Sequence, residues 1–387
     1  MVRGEFHMSL SGSRALAWAA AAASLLLASA CTGPDPADPS GTVAEFALAY
    51  PSQPPAAAHA ERSTPHGDGV AHDGSTHEIT WDERSGGDMW ITGQMHDSLV
   101  RLNADGKARF FPMPAGSGPH GIVFDSAGRL WVTLEFAGRI LMLDKDGKTL
   151  ADIPVAIDCP KCPLPNNPQP HGLGVGPDGR TIWFTGKTAG VVGRIDPDGK
   201  VATFPLSSPD SLPIYIKAGP DGNMWVTMLN ASRIARVTPE GVVTEFVIPT
   251  ENSRPIAIVP GPDGAMWFSE EAGSKVARIT MDGKITEFAV PRSDPRLILA
   301  GLAFDGEGNL WTQQYMPHKT PDPNVADSIV RIDRSALNGS GSGAGPFAFN
   351  PVPTRDTVMH RIVRGPDGNM WFTEMNADKV GRLTIGR

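Results

Sequence analysis

Short apolar runs alternate with polar turns along the chain from Gly41 onward, and seven runs carry a tryptophan at the same place. Four of the six intervals between these tryptophans are 41 to 44 residues long, the length of four short strands in one propeller blade. The pattern therefore predicts seven β-sheet repeats. The tryptophans are Trp90, Trp131, Trp183, Trp225, Trp267, Trp311 and Trp371.

One repeat shows how its four strands divide. Strands are predicted over Gly121 to Phe124, Leu130 to Thr133, Arg139 to Asp144 and Thr149 to Pro154. The turns DSAG and KDGK separate the first strand from the second and the third from the fourth. Short apolar or alternating runs bounded by such turns are typical of antiparallel hairpins.

The two ends of the chain complement each other. The last repeat ends after its third strand, and GTVAEFALAYP at Gly41 matches the fourth strand GKITEFAVP at Gly283. An N-terminal strand that completes the last blade would close the ring and leave no open sheet edge there. The predicted fold class is all-β, a seven-bladed β-propeller over residues 41–387. Insertions are predicted near residues 52–76, 155–169 and 317–357.

Composition agrees with a turn-rich β-protein. The chain has 387 residues, 40% of them hydrophobic, with 43 glycines and 36 prolines but no collagen-like period. Its formal net charge is −8, and no run of Lys or Arg is present. This argues against nucleic acid or an anionic membrane surface as a partner. We expect a monomer.

The N-terminal residues have the pattern of an export signal. An apolar run from Ala15 to Leu27 follows a basic residue and leads into ASAC, which ends at Cys31. This ending resembles a bacterial lipobox, so residues 1–30 are predicted to be a lipoprotein signal peptide and Cys31 to be lipidated. The alternative is an ordinary signal peptide cleaved after Ala30. Residues 31–40 are predicted to be a flexible tether, and the protein to be exported and lipid-anchored in a bacterial cell envelope.

The remaining two cysteines lie in DCPKCP, at Cys159 and Cys162. In an oxidising compartment this spacing favours a disulfide within one loop. A haem attachment site would require a histidine next, where Pro163 stands instead. A redox motif is less consistent with the sequence because no βαβ pattern surrounds the pair.

Histidines occupy the same place in four predicted inner strands. These strands line the central channel of a propeller, and the place considered is the start of each strand. The other three repeats have apolar residues there, so the channel mouth is predicted to have one polar and one apolar side. The seven residues are His77, His120, His171, Ile214, Ile256, Ala300 and His360.

Carboxylates follow the tryptophan strands beside these histidines. Glu135 is predicted to face His120 because the two are nearly symmetric about one tight turn. Gln94, the pair Glu270 and Glu271, and Glu374 are placed at the matching strand ends of other repeats. Imidazoles beside carboxylates can bind a divalent metal or position an acid and a base. The alternative is that each histidine only caps its strand.

The segments GPDGNMWFTE, KVARITMDGKITEFAVP and PHGI resemble the virginiamycin B lyase (streptogramin lyase) family. The resemblance implies a seven-bladed propeller that opens a cyclic depsipeptide antibiotic by elimination at its ester, with a magnesium ion. PHGIVFDSAGRLWVTLE is similar to the family's catalytic segment, which implies that His120 is the base and Glu135 a magnesium ligand. His77 matches the family's substrate-binding histidine.

Other site residues are assigned from their positions around the ring. His171 and His360 are predicted to bind substrate beside His77, and Glu374 to be a metal ligand. The family's second metal-binding carboxylate would lie two residues before the catalytic histidine, at Gly118. The family also carries its catalytic blade last, and that order would make His360 the base.

A second correspondence follows from the same chain order. The metal-ligand position would then fall on Met375, next to Glu374, and the substrate histidine on Ala300. Magnesium is the cofactor that the resemblance implies, whereas a cluster rich in imidazole suits zinc, copper or iron.

Three functions are consistent with these features. The first is an exported enzyme that opens a small cyclic ester, either a depsipeptide or a lactone-type compound, by metal-assisted elimination. The second is a non-catalytic envelope propeller that binds a ligand or a partner protein. The third is a metal-dependent hydrolase on the same scaffold, which would add water to its product.

Overall fold

Seven four-stranded antiparallel sheets surround a central axis in the computed structural model, which describes residues 41–51, 74–160, 162–317, 322, 324–337 and 347–385. We number the blades 1 to 7 by the chain order of their innermost strands. One helix of four residues, α1 (Arg334–Leu337), is present in the described part. No described helix is both long and apolar enough to cross a membrane.

Each innermost strand contacts those of the two neighbouring blades, so the seven strands close a ring. The innermost strands are β2 (Thr76–Thr80), β6 (Pro119–Phe124), β10 (Pro170–Val175), β14 (Pro213–Ala218), β18 (Pro255–Pro260), β22 (Ile298–Phe304) and β26 (Met359–Arg364). The second strands are β3 (Met89–Gly93), β7 (Leu130–Leu134), β11 (Ile182–Gly186), β15 (Met224–Met228), β19 (Met266–Glu270), β23 (Leu310–Tyr315) and β27 (Met370–Glu374).

The outer half of each blade has the same arrangement. The third strands are β4 (Ser98–Leu102), β8 (Arg139–Leu143), β12 (Val191–Ile195), β16 (Arg233–Val237), β20 (Lys275–Ile279), β24 (Ser328–Ile332) and β28 (Lys379–Ile385). The outermost strands are β5 (Ala108–Pro112), β9 (Thr149–Pro154), β13 (Val201–Pro205), β17 (Val243–Val247), β21 (Ile285–Ala289), β25 (Phe347–Pro351) and β1 (Gly41–Ala47).

The predicted closure of the ring is confirmed. Strand β1 pairs with β28 over its whole length, from Gly41 opposite Ile385 to Ala47 opposite Lys379. Glu45 on β1 accepts hydrogen bonds from Lys379 Nζ at 2.7 Å and from the backbone N–H of Thr354 at 2.8 Å. The N-terminal strand thus fills the outer edge of the blade that the C-terminal residues begin.

The predicted strands of blade 2 differ from the observed ones by one or two residues at some ends. Strand β6 begins at Pro119 rather than Gly121, and β7 runs on to Leu134. A larger difference concerns residues 317–357, predicted as an insertion, since this range contains the third and fourth strands of blade 6, β24 and β25. The interruption by NGSGSGAGP hid their strand spacing.

The tryptophans pack between neighbouring blades, and the Asp-containing turns hold them there. Trp267 is almost fully buried, and its indole N–H donates to Asp263 of the GPDG turn at 3.1 Å. Its ring stacks on Phe288 of the outermost strand, with centroids 5.3 Å apart. Trp371 repeats both contacts, with Asp367 and Phe46. The turn aspartates therefore have a packing role, in addition to shaping the turn.

A disulfide joins Cys159 to Cys162 in the loop between blades 2 and 3, with an S–S distance of 2.02 Å. The half-cystine Cys162 is buried, and its sulfur lies 3.5 Å from the carbonyl oxygen of Thr188. The sulfur therefore attaches this loop to the end of blade 3.

Candidate functional site

A β-bulge near the start of each innermost strand sets the direction of the candidate side chains. In blade 2, Pro119 pairs with Leu134 and Ile122 pairs with Val132, so His120 and the residue after it lie in the bulge. The same register shift occurs in all seven blades. A bulge breaks the strict alternation of a strand and can re-aim a side chain.

One side chain of the second strand, a hydroxyl in six blades and the Gln313 amide in blade 6, bonds to each bulge. In six of the blades its described bonds also reach the next blade. Thr133 Oγ1 accepts a hydrogen bond from the N–H of Gly121 at 2.6 Å and donates to the carbonyl oxygen of His171 at 3.1 Å. The bulge N–H groups of the other six blades also bond to a side chain two residues after the tryptophan. These side chains belong to Thr92, Thr185, Thr227, Ser269, Gln313 and Thr373.

The bulges bring the four predicted histidines together in one buried cluster, hereafter the histidine cluster: His77, His120, His171 and His360. All four are less than a tenth exposed. The ring centroids of His120 and His171 are 3.8 Å apart, and those of His77 and His360 are 5.1 Å apart. His120 also lies 4.9 Å from His77 and 5.5 Å from His360, between centroids. His120 is therefore the central member.

His120 has an electrostatic environment that keeps it neutral. It is fully buried, and neither ring nitrogen has a hydrogen-bond partner among the described residues. Burial lowers the pKa of His120 well below its ordinary value, and the neighbouring His171, other cluster histidines and Lys187 lower it further. A neutral imidazole retains one nitrogen lone pair, so His120 can accept a proton at neutral pH.

His171 is also held neutral, in a fixed orientation. Its Nδ1 lies 3.3 Å from the carbonyl oxygen of Ile214 in blade 4. Burial lowers the pKa of His171 well below the usual range, and the positive charge of Lys187 adds to the effect. Two neutral imidazoles can lie with their ring centroids 3.8 Å apart, as those of His120 and His171 do. Two imidazolium ions at that separation would repel each other.

Glu135 is the middle member of a buried polar chain. Gln94 Nε2 donates to one of its carboxylate oxygens at 2.9 Å, and Lys187 Nζ donates to the other at 2.9 Å. Lys187 and Glu135 have side chains only 3% and 1% exposed. Sequence analysis missed Lys187, although it lies four residues after Trp183, just as Glu135 lies four residues after its tryptophan.

The second bulge residues fill the channel beside the histidine cluster. Arg361 donates to both carboxylate oxygens of Glu78, at 2.8 and 2.5 Å, and its guanidinium lies 3.6 Å from the ring centroid of Tyr215. These residues come from blades 7, 1 and 4, so Arg361 extends across the ring. His360 Nδ1 lies 3.2 Å from Glu78 Oε1, within ion-pair distance.

The charge of Glu78 is maintained by these neighbours. Burial alone would raise the pKa of Glu78, but Arg361 and His360 outweigh it and hold that pKa well below its usual range. Neither Glu78 nor Arg361 was predicted as a site residue from the sequence, although each directly follows a predicted histidine. Their contact was hidden because they come from the first and last innermost strands.

The register corrects the predicted equivalence of Glu374 and Glu135. Glu374 pairs with Met359 as Leu134 pairs with Pro119, so the true counterpart of Glu135 is Met375. Successive residues of a strand point to opposite faces. Glu374 is absent from both described carboxylate–imidazole groups in which ligand atoms lie within 4.8 Å of one another.

Glu374 instead has a structural setting shared with Glu270, which occupies the same register position in blade 5. Burial, and then the negative charge of Glu45, raises the pKa of Glu374 to about 8, with Lys379 opposing. Burial and then Glu287 similarly raise the pKa of Glu270 to about 8. Both carboxyl groups are therefore protonated at neutral pH.

Among the described residues, two sets of side chains could hold a metal ion: Glu78 with His120 and His360, and His120 with Glu135 and His171. In each set the ligand atoms lie within 4.8 Å of one another. Magnesium prefers an octahedral shell of oxygen ligands and water. Here imidazole nitrogens predominate, and each carboxylate already bonds to a cation, Arg361 or Lys187. The residues present do not fit a magnesium site.

The position of the second expected carboxylate is also filled. Gly118 has a φ of +60°, a left-handed conformation that strains other residues. A Cβ atom at Gly118 would lie 2.3 Å from the ring of Phe136. The backbone N–H of Gly118 donates to Asp97 Oδ1 at 2.9 Å. A glutamate or aspartate side chain therefore has no room at Gly118 in this conformation.

The sequence and the structure of this chain are similar to those of one family of lyases. The chain matches the model of the virginiamycin B lyase family over residues 86–332, while no curated protein sequence matches it. A streptogramin B lyase structure is 24% identical with a TM-score of 0.71, covering 89% of this chain and 98% of that chain. Virginiamycin B lyase from Staphylococcus aureus is 27% identical with a TM-score of 0.69, covering 89% and 99%.

A catalytically inactive variant of the Staphylococcus aureus enzyme, determined with quinupristin, has the same identity, coverage and TM-score. All three structural alignments extend beyond the segment matched by the family model, since each of them covers 89% of this chain. The matched segment includes most of blades 1 to 6 and the whole hairpin of His120 and Glu135. With the family model spanning more than half of its length, the chain belongs to the virginiamycin B lyase family.

Proposed function

We propose that this protein is an enzyme that opens a cyclic ester by elimination, with His120 as the general base. A nitrogen of His120 takes a proton from the carbon next to a carbonyl group of the substrate. The electron pair of that C–H bond forms a double bond to the adjacent carbon, and the bond from that carbon to the ester oxygen breaks. The oxygen leaves as a carboxylate, and the proton held by His120 passes to that carboxylate or to water, so the product in its acid form and the substrate have the same mass.

The state of His120 is the observation that carries this proposal. A buried imidazole with no partner on either nitrogen is costly for a fold, and here it leaves a nitrogen lone pair of His120 free to accept a proton. The lowered pKa of His120 keeps that lone pair unprotonated at neutral pH, although it also makes the imidazole a weaker base. Because His120 is fully buried, the reaction requires the channel mouth to open enough to admit the reacting carbon.

The other cluster histidines are proposed to contact the substrate. His77 and His360 stack on one side of His120, and His171 lies on the other. The apolar residues Ile214 and Ile256 occupy the same bulge position on the far side of the ring. An apolar wall opposite a polar cluster suits a compact cyclic depsipeptide or lactone, which buries carbon surface and presents few polar groups.

Family membership supports the reaction class. The Staphylococcus aureus relative is a virginiamycin B lyase, and its inactive variant was determined with quinupristin. Magnesium forms no part of this proposal, since the carboxylates of the site are already paired with cations.

Product mass tests the proposal. Quinupristin and a panel of cyclic depsipeptides and macrolactones would be incubated with the protein, and the products analysed by liquid chromatography and mass spectrometry. Elimination predicts an opened product of unchanged mass with a new double bond. A product heavier by one water would indicate the hydrolase instead. An unchanged panel would favour the non-catalytic envelope propeller.

Export and lipidation of Cys31 are further proposals, and this residue lies outside the described part of the chain. They rest on the lipobox-like ASAC sequence and its apolar leader. Intact-mass analysis of the protein from a bacterial membrane fraction would show diacylglycerol on Cys31, lost in Cys31→Ser. A protein cleaved after Ala30 without lipid would support the ordinary signal peptide. Size-exclusion chromatography with light scattering tests the expected monomer.

A further inference from the structure

We propose that Lys187 supplies the positive charge at the His120 site that a divalent metal ion would otherwise supply, so that the reaction needs no metal. This inference rests on the proposed elimination. It concerns how negative charge on the substrate is stabilised as His120 removes the proton. Four observations of the described residues support it.

The first observation is that the Lys187 ammonium group is already bonded to the carboxylate of Glu135. Lys187 Nζ lies 2.9 Å from Glu135 Oε1, and Gln94 Nε2 lies 2.9 Å from Oε2. A metal ion that used this carboxylate would have to displace a buried cation at close range. Both partners are almost entirely buried, so solvent does little to screen their attraction.

The second observation is positional. The three members of the chain, Gln94, Glu135 and Lys187, lie four residues after the tryptophans of blades 1, 2 and 3. These blades also carry His77, His120 and His171 in their bulges. Propeller symmetry therefore places the ammonium in blade 3 beside His171, at the position that Glu135 holds beside His120 in blade 2.

The third observation is the absence of space for a second carboxylate. A metal ion would gain affinity from two carboxylates, and the position two residues before His120 would supply one. Gly118 holds that position in a left-handed conformation, and the ring of Phe136 fills the space next to it. A single carboxylate with two imidazoles is a poor match for magnesium.

The fourth observation is the charge balance of the buried site. Glu78 is paired with Arg361, and Glu135 is paired with Lys187. The neutral imidazole of His120 adds no negative charge. A divalent cation would therefore enter a buried site with no unpaired carboxylate to compensate it, which carries a large desolvation cost.

The ammonium of Lys187 has the donors that the reaction needs. It carries three N–H donors, and within the described ranges only the bond to Glu135 is made. The two remaining donors can bond to the substrate carbonyl oxygen, where negative charge develops as His120 removes the adjacent proton. A fixed cation in a water-poor site stabilises such charge strongly, and the lysine keeps its own proton throughout.

Metal binding provides a test that is independent of any substrate. The full chain, its Lys187→Met variant and its Lys187→Gln variant would be stripped of metal and titrated with MgCl2 and ZnCl2 by calorimetry. The wild-type chain is expected to bind no magnesium. Removal of the ammonium frees Glu135 to act with His120 and His171, so zinc affinity should rise at least about tenfold in Lys187→Gln.

Either of two results would overturn the inference. One is stoichiometric magnesium binding by the wild-type chain. The other is zinc affinity unaltered by both Lys187 substitutions. Lys187→Met leaves the buried Glu135 carboxylate without its cation, and this variant is therefore at risk of not folding. Lys187→Gln can still donate a hydrogen bond to that carboxylate, so it supplies the readout if Lys187→Met does not fold. Circular dichroism and Tm establish folding before each titration.

Turnover gives the second arm of the test. On a substrate accepted by the wild-type chain, the rate in excess EDTA should equal the rate without it. Lys187→Gln should lower kcat by about 10² to 10³, the effect of losing one charge-stabilising donor, while Lys187→Arg retains part of the rate. Turnover that EDTA abolishes and added metal restores would contradict the inference while leaving elimination itself intact.

Discussion

Blades 2 and 5 have the same scaffold but different chemistry. In blade 2 the bulge carries His120, and Thr133 links it to blade 3. In blade 5 the bulge carries Ile256, and Ser269 links it to blade 6 through a bond of 2.6 Å to the carbonyl oxygen of Ala300. The backbone geometry is therefore common to the ring, and only the side chain presented by the bulge differs.

This difference separates fold from function within one chain. The equivalent side chain, a hydroxyl in six blades and Gln313 in blade 6, bonds to the bulge of every blade, so these hydrogen bonds report on the propeller rather than on the reaction. The histidines and their charged neighbours occupy four neighbouring blades, numbers 7, 1, 2 and 3. We expect substitutions in the histidine cluster to affect turnover, and substitutions of the scaffold residues in blade 5 to affect stability alone.

The largest expected effect is that of His120→Ala on turnover. Removal of a general base typically costs about 10² to 10⁴ in rate, so kcat for the opened ester should fall by that factor. Ser269→Ala is the control in blade 5, at a residue outside the histidine cluster and outside the apolar wall, and its rate should stay near that of the wild-type protein. Equal losses of kcat in both variants would show that the histidine cluster does not take part in the reaction.

The buried pair of Glu78 and Arg361 should show the next largest effect, on stability. Arg361→Met leaves the Glu78 carboxylate buried without its cation, which typically costs about 3 to 5 kcal/mol of unfolding free energy. Lys275→Met in blade 5 breaks a partly exposed ion pair with Glu287 and should cost about 1 kcal/mol or less. Urea denaturation measures both.

The same pair has a predictable pH dependence. Because the folded-state pKa of Glu78 lies below its ordinary value of 4.5, its contribution is complete above that value and is lost as pH falls below it. The wild-type protein should therefore lose more stability than the double variant Glu78→Gln, Arg361→Met on acidification below pH 4.5. Parallel curves would mean that Glu78 is not held ionised by Arg361.

A smaller effect is expected at the hydroxyls that link neighbouring blades. Thr133→Ala leaves the buried N–H of Gly121 and the carbonyl of His171 without this partner, at a cost of about 1 to 3 kcal/mol. Ser269→Ala should cost a similar amount in blade 5. Only Thr133→Ala should also lower turnover, because it loosens two cluster histidines, and Thr133→Ser should restore it.

The smallest effect concerns Glu374, which the register assigns to the scaffold. Its folded-state pKa of about 8 lies above the ordinary 4.5, so the folded protein retains a proton that the unfolded chain has lost. Stability is therefore lost as pH rises from about 4.5 to about 8. Glu374→Gln should raise Tm by about 2 °C at pH 8 and change it little at pH 5.

Glu270→Gln is the comparison that sharpens this assignment. Glu270 has the same register position in blade 5 and the same raised pKa of about 8, so its variant should shift Tm with the same pH profile. Turnover should be unchanged in both variants. A selective loss of turnover in Glu374→Gln would return Glu374 to the site.

The fold was largely readable from the sequence because its signals are local. Tryptophans such as Trp131 recur at blade spacing, and three GPDG turns supply an aspartate to an indole four residues on, as Asp263 does for Trp267. Closure of the ring by the strand that begins at Gly41 could be predicted because its sequence is similar to the fourth strands of other blades. The strands of blade 6 were missed where a glycine-rich segment broke that spacing.

The site was only partly readable, since its decisive contacts join distant strands. The histidine positions follow from one repeated place, and their clustering follows from ring symmetry. The pairing of Glu135 with Lys187, 52 positions apart, depends on side-chain reach between blades. The placement of Glu374 failed because a one-residue error in register moves a side chain to the opposite face.

The most direct test of the central claim is the mass of the product formed from quinupristin and the ester panel by the wild-type protein and by His120→Ala. The wild-type protein should form an opened product of unchanged mass with a new double bond, and His120→Ala should form it at least about a hundredfold more slowly. An opened product heavier by one water, or equal turnover by both proteins, would contradict elimination with His120 as the base.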